Sequence, residues 1–265
     1  MSCLEEDLKK YIPQLEKLEL RTYALGLRLL WQKVLNLMGP EQLNRKTTKL
    51  VGTAMDGVDI EKHPFIYSTA GRHHIVNLCA YFSEYQKGAE IAIEMGEMFY
   101  KTWSGAAYFG FETFSRAVCL YAMAIESDGH AKYLTPARRA RSEIAKWVKL
   151  GALNLVHQLY LLEAEDAVIR SKEQQARKMF YEAIKGSVRG GFLGDAGISN
   201  ERYALYLDSL ANHDDDASHH MKEAVKYYSE WGAFEKVRRL KEEHHSLLNR
   251  VSIQQSSNHT KTEFD

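Results

Sequence analysis

Histidine and acidic side chains are where metal or acid–base chemistry would begin in this chain, and their spacing is unfavourable for both. Eleven histidines occur, including the adjacent pairs His73-His74, His219-His220 and His244-His245. Neighbours on a helix point about 100° apart, so an adjacent pair does not make a metal site by itself. No HExxH is present, and that is the spacing that sets two histidines on one helical face over a metal. The densest ligand cluster is His213, Asp214, Asp215, Asp216, His219 and His220. It lacks a cysteine or a suitably spaced further carboxylate. We read it as an acidic start to a helix, where the dipole favours negative charge, followed by surface histidines. No cofactor and no metal is expected.

Phosphate chemistry finds no support. No Gly-Lys pair occurs, so a GxxxxGK[ST] loop cannot form, and no GxG triplet is present for a dinucleotide turn. The kinase sequences HRD and DFG are missing, as is GxSxG. The glycine-rich stretch from Gly186 to Gly197 has no preceding strand pattern and reads as an inter-helix loop. A second concentration is aromatic: Tyr100, Trp103, Tyr108, Phe109, Phe111 and Phe114. Such residues suit either a core between helices or a groove for a partner's apolar side chains. The basic set Arg138, Arg139, Arg141, Lys146 and Lys149 shares one helix, is interrupted by Glu143 and carries no interleaved aromatics. It reads as a solvated face, not a nucleic-acid surface.

The elements that would hold these residues are helical. The chain has 265 residues, 45% hydrophobic and 26% charged, with 35 basic and 35 acidic side chains. Zero net charge gives no global pull toward nucleic acid or anionic membrane. The longest uncharged run, Leu150 to Leu162, is too short for a bilayer-spanning helix. The start, MSCLEEDLKK, has no apolar h-region, and Cys3, Cys79 and Cys119 are odd in number and far apart. A reduced, cytoplasmic protein without a membrane segment is expected. The four prolines all precede Ala137, and long β-branched alternations are absent. An all-α fold follows. Helices are expected over about 3–18, 20–38, 71–85, 87–102, 105–127, 134–149, 151–169, 172–187, 198–211, 215–231 and 233–248. The segment 39–70 reads as a long connection, with a short helix near 41–50, and the polar tail 249–265 as frayed. Residues 1–248 would form one domain.

Short turns between these helices make antiparallel hairpins, and the second helix of each repeats a pattern. Gly88, Ala140, Ala176 and Ala217 each lead a face continued at offsets 4, 7, 8 and 11. These are Ala92-Met95-Gly96-Phe99, Ile144-Trp147-Val148-Gly151, Phe180-Ala183-Ile184-Ser187 and Met221-Ala224-Val225-Tyr228. The leading residue is always small, which lets a partner helix approach. The spacing fits stacked two-helix repeats of a degenerate tetratricopeptide-like α-solenoid, though without the strict 34-residue period.

Two stretches carry a resemblance. The first is Gly191-Phe192-Leu193-Gly194-Asp195-Ala196 followed by Asn200-Glu201-Arg202-Tyr203-Ala204. The second runs from Ala224 through Trp231-Gly232-Ala233 to Lys236-Val237-Arg238-Arg239-Leu240. Together they resemble the C-terminal helical-repeat region of large multidomain microbial signalling proteins. Those proteins join a kinase-like or AAA/STAND-type ATPase module to tetratricopeptide-like repeats and often to a histidine kinase or nucleotide cyclase. The resemblance marks Gly191, Phe192, Asp195, Asn200, Glu201, Trp231, Gly232 and Lys236 as structural motif residues. It implies a non-enzymatic module that contacts a protein partner or another domain of a signalling protein. Gly197 departs from it, standing where a helix former is expected. From the residues alone, Asp195 or Ser199 could cap the helix carrying Tyr203, and Gly232 could end the helix before it. A different reading, an enzyme or small-ligand sensor with a buried aromatic- and His-lined pocket in 71–127, also stands at this point.

Overall fold

Several helix connections in the computed structural model turn on the same backbone device. At the end of the second-last helix pair, Phe192 N–H returns to Ser187 O (2.9 Å) and Gly191 N–H to Val188 O (3.2 Å), with Gly191 at φ 71°. Ala233 and Gly232 repeat the two bonds to Tyr228 O and Ser229 O. Lys172 and Ser171 do so to Ala167 O and Val168 O, as do Ala152 and Gly151 to Trp147 O and Val148 O. This is the Schellman closure, in which a left-handed residue satisfies the last carbonyls of a helix and turns the chain sharply back. Glycine supplies that residue at Gly151, Gly191 and Gly232; Glu19, Ser83, Asp128 and Ser171 adopt it with a side chain present.

The structure describes residues 1–39, 47–58, 62–103, 109–210 and 214–249. Among them the secondary structure is helical throughout, with no strand. The first hairpin is α1 (Ser2–Lys17) and α2 (Arg21–Met38). After a 3-10 turn at Thr53–Met55, the short α3 (Pro64–Ile66) runs through a π-helical turn into α4 (Arg72–Tyr81). Then follow α5 (Tyr85–Trp103), α6 (Phe109–Glu126), α7 (Ala131–Lys149), α8 (Val156–Ile169) and α9 (Glu173–Arg189). The chain continues with α10 (Leu193–Asp208), α11 (Asp214–Trp231), α12 (Phe234–Glu243) and α13 (His245–Leu248).

These helices sort into two sets. α4 packs on α6, α6 on α8 and α8 on α10, while α5, α7, α9 and α11 each pair with the helix just before them in the chain. The predicted small-residue faces lie at these pairings: Ala140, Ala176, Ala183, Ala217 and Ala224 are all buried. A Cβ on Gly88 would stand 2.5 Å from Cys119 Sγ, so α5 and α6 meet too closely for a side chain there. The ends of the array also meet. Tyr81 of α4 packs on Trp231 (5.1 Å between ring centres) and edge-on to Tyr228 of α11, and α12 lies against α2.

Several expectations need correction. The stretch Gly186–Gly197 is not a loop: α9 continues to Arg189 and α10 begins at Leu193. Its glycines serve close packing instead. A Cβ on Gly197 would meet the Tyr228 ring at 2.5 Å, and one on Gly194 would meet the Trp231 ring and the Tyr81 hydroxyl at 3.0 Å. Gly197 therefore belongs in the helix for steric reasons that outweigh its poor propensity. Neither Asp195 nor Ser199 caps α10; Phe192 holds the cap position without a side-chain bond, and Ser199 lies inside the helix. Of the expected helix near 41–50, residues 41–46 lie outside the described residues and 47–50 are not helical. Within 39–70, Leu50, Ala54 and Met55 are buried. Gln32 Oε1 accepts from Ala54 N–H, and Asn36 donates to the carbonyls of Thr47 and Lys49. The tail from residue 250 onward lies outside the described residues.

Candidate functional site

Helix α10 is buried without interruption from Gly194 to Arg202, so its polar side chains must find partners inside the protein. Glu201 is wholly buried and receives three donors. Lys236 Nζ from α12 lies 2.7 Å from Oε1, Ser83 Oγ 3.1 Å from the same oxygen, and Tyr228 Oη 2.8 Å from Oε2. Lys236, 1% exposed, also sits over the Tyr228 ring at 5.4 Å. Burial and Glu201 push the Tyr228 hydroxyl well above the ordinary tyrosine range, so it stays a donor. Next along the helix, Arg202 forms a two-pronged pair with Glu165 of α8 (2.6 and 2.9 Å) and lies over Tyr85. Burial opposes the Arg202 charge, but Glu165 and Tyr85 outweigh it and hold its pKa above the usual arginine value.

The rest of the motif makes further local contacts. Asp195 Oδ2 is 2.7 Å from His157 Nε2 and accepts from Gln158 Nε2 at 2.8 Å. Phe192 stacks on the His157 ring (4.5 Å). Asn200 donates to Ala196 O and meets His220 Nδ1 at 2.8 Å through Oδ1. Trp231 covers Gly194, while Gly191 and Gly232 occupy the left-handed turns. The motif residues thus lie along α10 and at the turns and helices next to it, in separate local networks. Both carboxylate oxygens of Glu201 accept hydrogen bonds, and these tie α10 to α11, α12 and the α4–α5 turn.

The next residue of α8 after Glu165, Asp166, gathers three arginines. Arg138 Nε is 2.7 Å from Oδ1, Arg170 Nε 2.8 Å from Oδ2, and Arg141 Nη1 3.1 Å from Oδ2. Burial alone would raise the Asp166 carboxyl; the Arg138 hydrogen bond and the charges of Arg141, Arg138 and Arg170 hold it below the ordinary range.

A second group of titratable side chains occupies the ends of α2, α4 and α6: Lys33, His73, His74, Glu112 and Arg116. Burial shifts all of the first four toward their neutral forms. It lowers Lys33 against the pull of Glu112, and raises Glu112 against Lys33 and Arg116. It lowers His74 far below the usual value, helped by Lys33 and His73, and brings His73 to about 3, helped by Arg116. Arg116 Nη2 donates to Ala92 O at 2.9 Å. Glu112 Oε2 is buried with no hydrogen-bond partner among the described residues.

The sequence reading did not name the buried partners His157, Gln158, Glu165, Tyr85 and Ser83. The available signal was Glu163, Glu165 and Asp166 inside an otherwise apolar run from Leu159 to Ile169. Buried charges in such a helix need counter-charges. The aromatic set is only partly placed: Phe114 is buried and Phe111 partly exposed, while Tyr108 lies outside the described residues and the side chains of Tyr100, Trp103 and Phe109 are not described. Of the His213–His220 cluster, His213 also lies outside them; Asp215, Asp216 and His219 are exposed. Among the described residues no group of three or more His, Cys, Asp or Glu side chains is placed to hold a metal. None of their helices is long and apolar enough to cross a membrane. Comparison with known proteins finds no matching family model, no matching curated protein and no matching solved structure.

Proposed function

We propose that this chain is a tetratricopeptide-like helical-repeat module that docks a protein partner or a neighbouring domain, and not an enzyme. The observation that carries the reading is the alternation of helices, with α4, α6, α8 and α10 forming one layer and their hairpin partners the other. Stacked hairpins of this kind present their turns and outer helices as extended recognition surfaces. At the α7–α8 turn, Leu150 and Leu153 are 84% and 75% exposed. Large apolar side chains held so far into solvent on a rigid turn suit a protein interface. The resemblance in sequence points to a signalling protein, with an ATPase-, kinase- or cyclase-type domain as the partner and the cytoplasm as the setting.

The test is reconstitution from purified components. A partner identified by in-cell cross-linking is purified and titrated with the full chain. The double variant Leu150→Asp/Leu153→Asp should weaken the complex by at least about tenfold, the effect of losing roughly 1.4 kcal/mol or more of interface energy. Its melting temperature should stay unchanged. Failure of the purified pair to form a complex would overturn the proposal, and so would turnover of a substrate by the isolated chain.

A ligand-sensor reading has one specific observation in its favour, the unpartnered buried Glu112 oxygen within the Lys33, His73, His74 and Arg116 group. Native mass spectrometry of the full chain tests it: a stoichiometric small adduct, lost in Glu112→Gln, supports a sensor, and an unliganded mass throughout opposes it.

A further inference from the structure

We propose that Arg138, Arg141 and Arg170 form a recognition site for a phosphate monoester carried on the protein partner. Three guanidinium groups converge on one carboxylate, Asp166, whose side chain is itself 3% exposed. The closest approach of each arginine to Asp166 is through Nε for Arg138 and Arg170 and through Nη1 for Arg141, and among the described residues no second carboxylate pairs with any of the three. Arg170 Nε also donates to the Asp166 carbonyl at 3.3 Å. The Tyr121 hydroxyl, 3.5 Å from Asp166 Oδ1, backs the carboxylate from α6. Glu163, one turn earlier on α8, feels Arg141 and Arg170 but makes no ion pair with them.

The arrangement anchors each guanidinium on Asp166 while its side chain stays partly exposed, with three arginines against one shared carboxylate. A dianion with three acceptor oxygens matches this fan: guanidinium forks bind such oxygens two at a time, and fixing the side chains beforehand lowers the ordering cost of binding. The site is open. The three side chains keep 43%, 26% and 35% of their surface exposed, so nothing encloses a free ion. A phosphate presented on a chain brings flanking residues that complete the contact, the pattern of Arg-cluster recognition of phosphorylated segments. The inference rests on the docking proposal above and adds phosphorylation as the property that is read.

The experiment follows the arginine Nε–Hε signals of the ¹⁵N-labelled full chain by nuclear magnetic resonance. Three probes are titrated: a phosphothreonine peptide with neutral flanks, its unphosphorylated twin, and inorganic phosphate. The expected result is saturable movement of the Arg138, Arg141 and Arg170 signals with the phosphopeptide, about tenfold tighter than with inorganic phosphate and absent with the twin. Arg141→Gln should weaken phosphopeptide binding by about tenfold, and Arg138→Lys, which keeps the charge but not the fork, by several-fold. Lys149→Gln, a nearby change of charge away from the fan, should leave it intact, and circular dichroism verifies folding of each variant. Equal affinity for free phosphate and phosphopeptide would overturn the assignment to a partner-borne phosphate. Absence of saturable shifts at millimolar probe, in a chain that still binds its partner at the Leu150 and Leu153 turn, would overturn the site while leaving the docking proposal standing.

Discussion

Glu201 shows how a charge is made tolerable at the centre of a helical protein. Three donors surround it, and the cation it faces is as buried as it is. Such a pair adds little stability over a well-packed apolar pair, but breaking it leaves a charge stranded. Lys236→Met should therefore cost about 3–5 kcal/mol in urea denaturation. The double change Glu201→Gln/Lys236→Met should cost distinctly less, because no charge remains. A single-variant loss under about 1 kcal/mol would show that Glu201 is not held as described. Histidine gives the pH dependence. His73 falls from 6.5 to about 3 and His220 to about 4, both chiefly through burial. In the unfolded chain each binds a proton below about pH 6.5 that the folded chain refuses. Stability must then decline as pH drops below that value, by about 1.4 kcal/mol per unit for each such histidine. Asp166, held low, works differently: its contribution is complete above about pH 4 and is lost only below it. From pH 6.5 to 5 the His73 term alone is about 2 kcal/mol, and His73→Gln should flatten the slope of stability against pH by that amount. An unchanged slope would place His73 in water. Glu201 and Lys236 were both singled out in the sequence, as residues of a resemblance. Their pairing was not, because a contact across 35 positions leaves no local periodic trace.

Helix identity was readable because each face repeats small and apolar residues, but helix ends were less so. Gly151, Gly191 and Gly232 announce their turns. Glu19, Ser83 and Ser171 make left-handed turns that no adjacent glycine signals, whereas Asp128 is followed by Gly129. The dense glycines of 186–197 misled in the other direction, since glycine marks close helix contact as readily as a loop. Two outcomes follow for single elements. Ser171→Gly should raise stability by up to about 1 kcal/mol, because the left-handed conformation strains a side chain and not glycine. Gly197→Ala should lower it by about 1–3 kcal/mol despite alanine's better propensity, since the new Cβ meets the Tyr228 ring. Thermal melts of the two variants decide both, and a stabilised Gly197→Ala would mean that α10 and α11 sit further apart than described. Ala176→Leu, at the α8–α9 crossing, should disturb that pair and its immediate neighbours first if, as proposed, the hairpins form a stacked array.

For the molecule as a whole, the consequence is that the layer of α4, α6, α8 and α10 is filled and closed. Tyr81 at the end of α4 reaches Trp231, Ser83 in the α4–α5 turn reaches Glu201, and Tyr85 at the start of α5 packs against Arg202, so this corner of the chain touches α10 and α11. An open array would instead leave one side of α10 in water. The alternation of hairpins was predictable from the 36- to 52-residue spacing of Gly88, Ala140, Ala176 and Ala217. This closure was not, because it depends on polar side chains meeting across helices far apart in sequence. Native-state hydrogen exchange of the full chain tests the closure most directly. The amides of α8 and α10 should exchange last, with opening free energies equal to that of global unfolding, while α7 and α9 open earlier. Exchange of α10 through a smaller, separate opening that precedes α9 and α11 would contradict the closed inner layer.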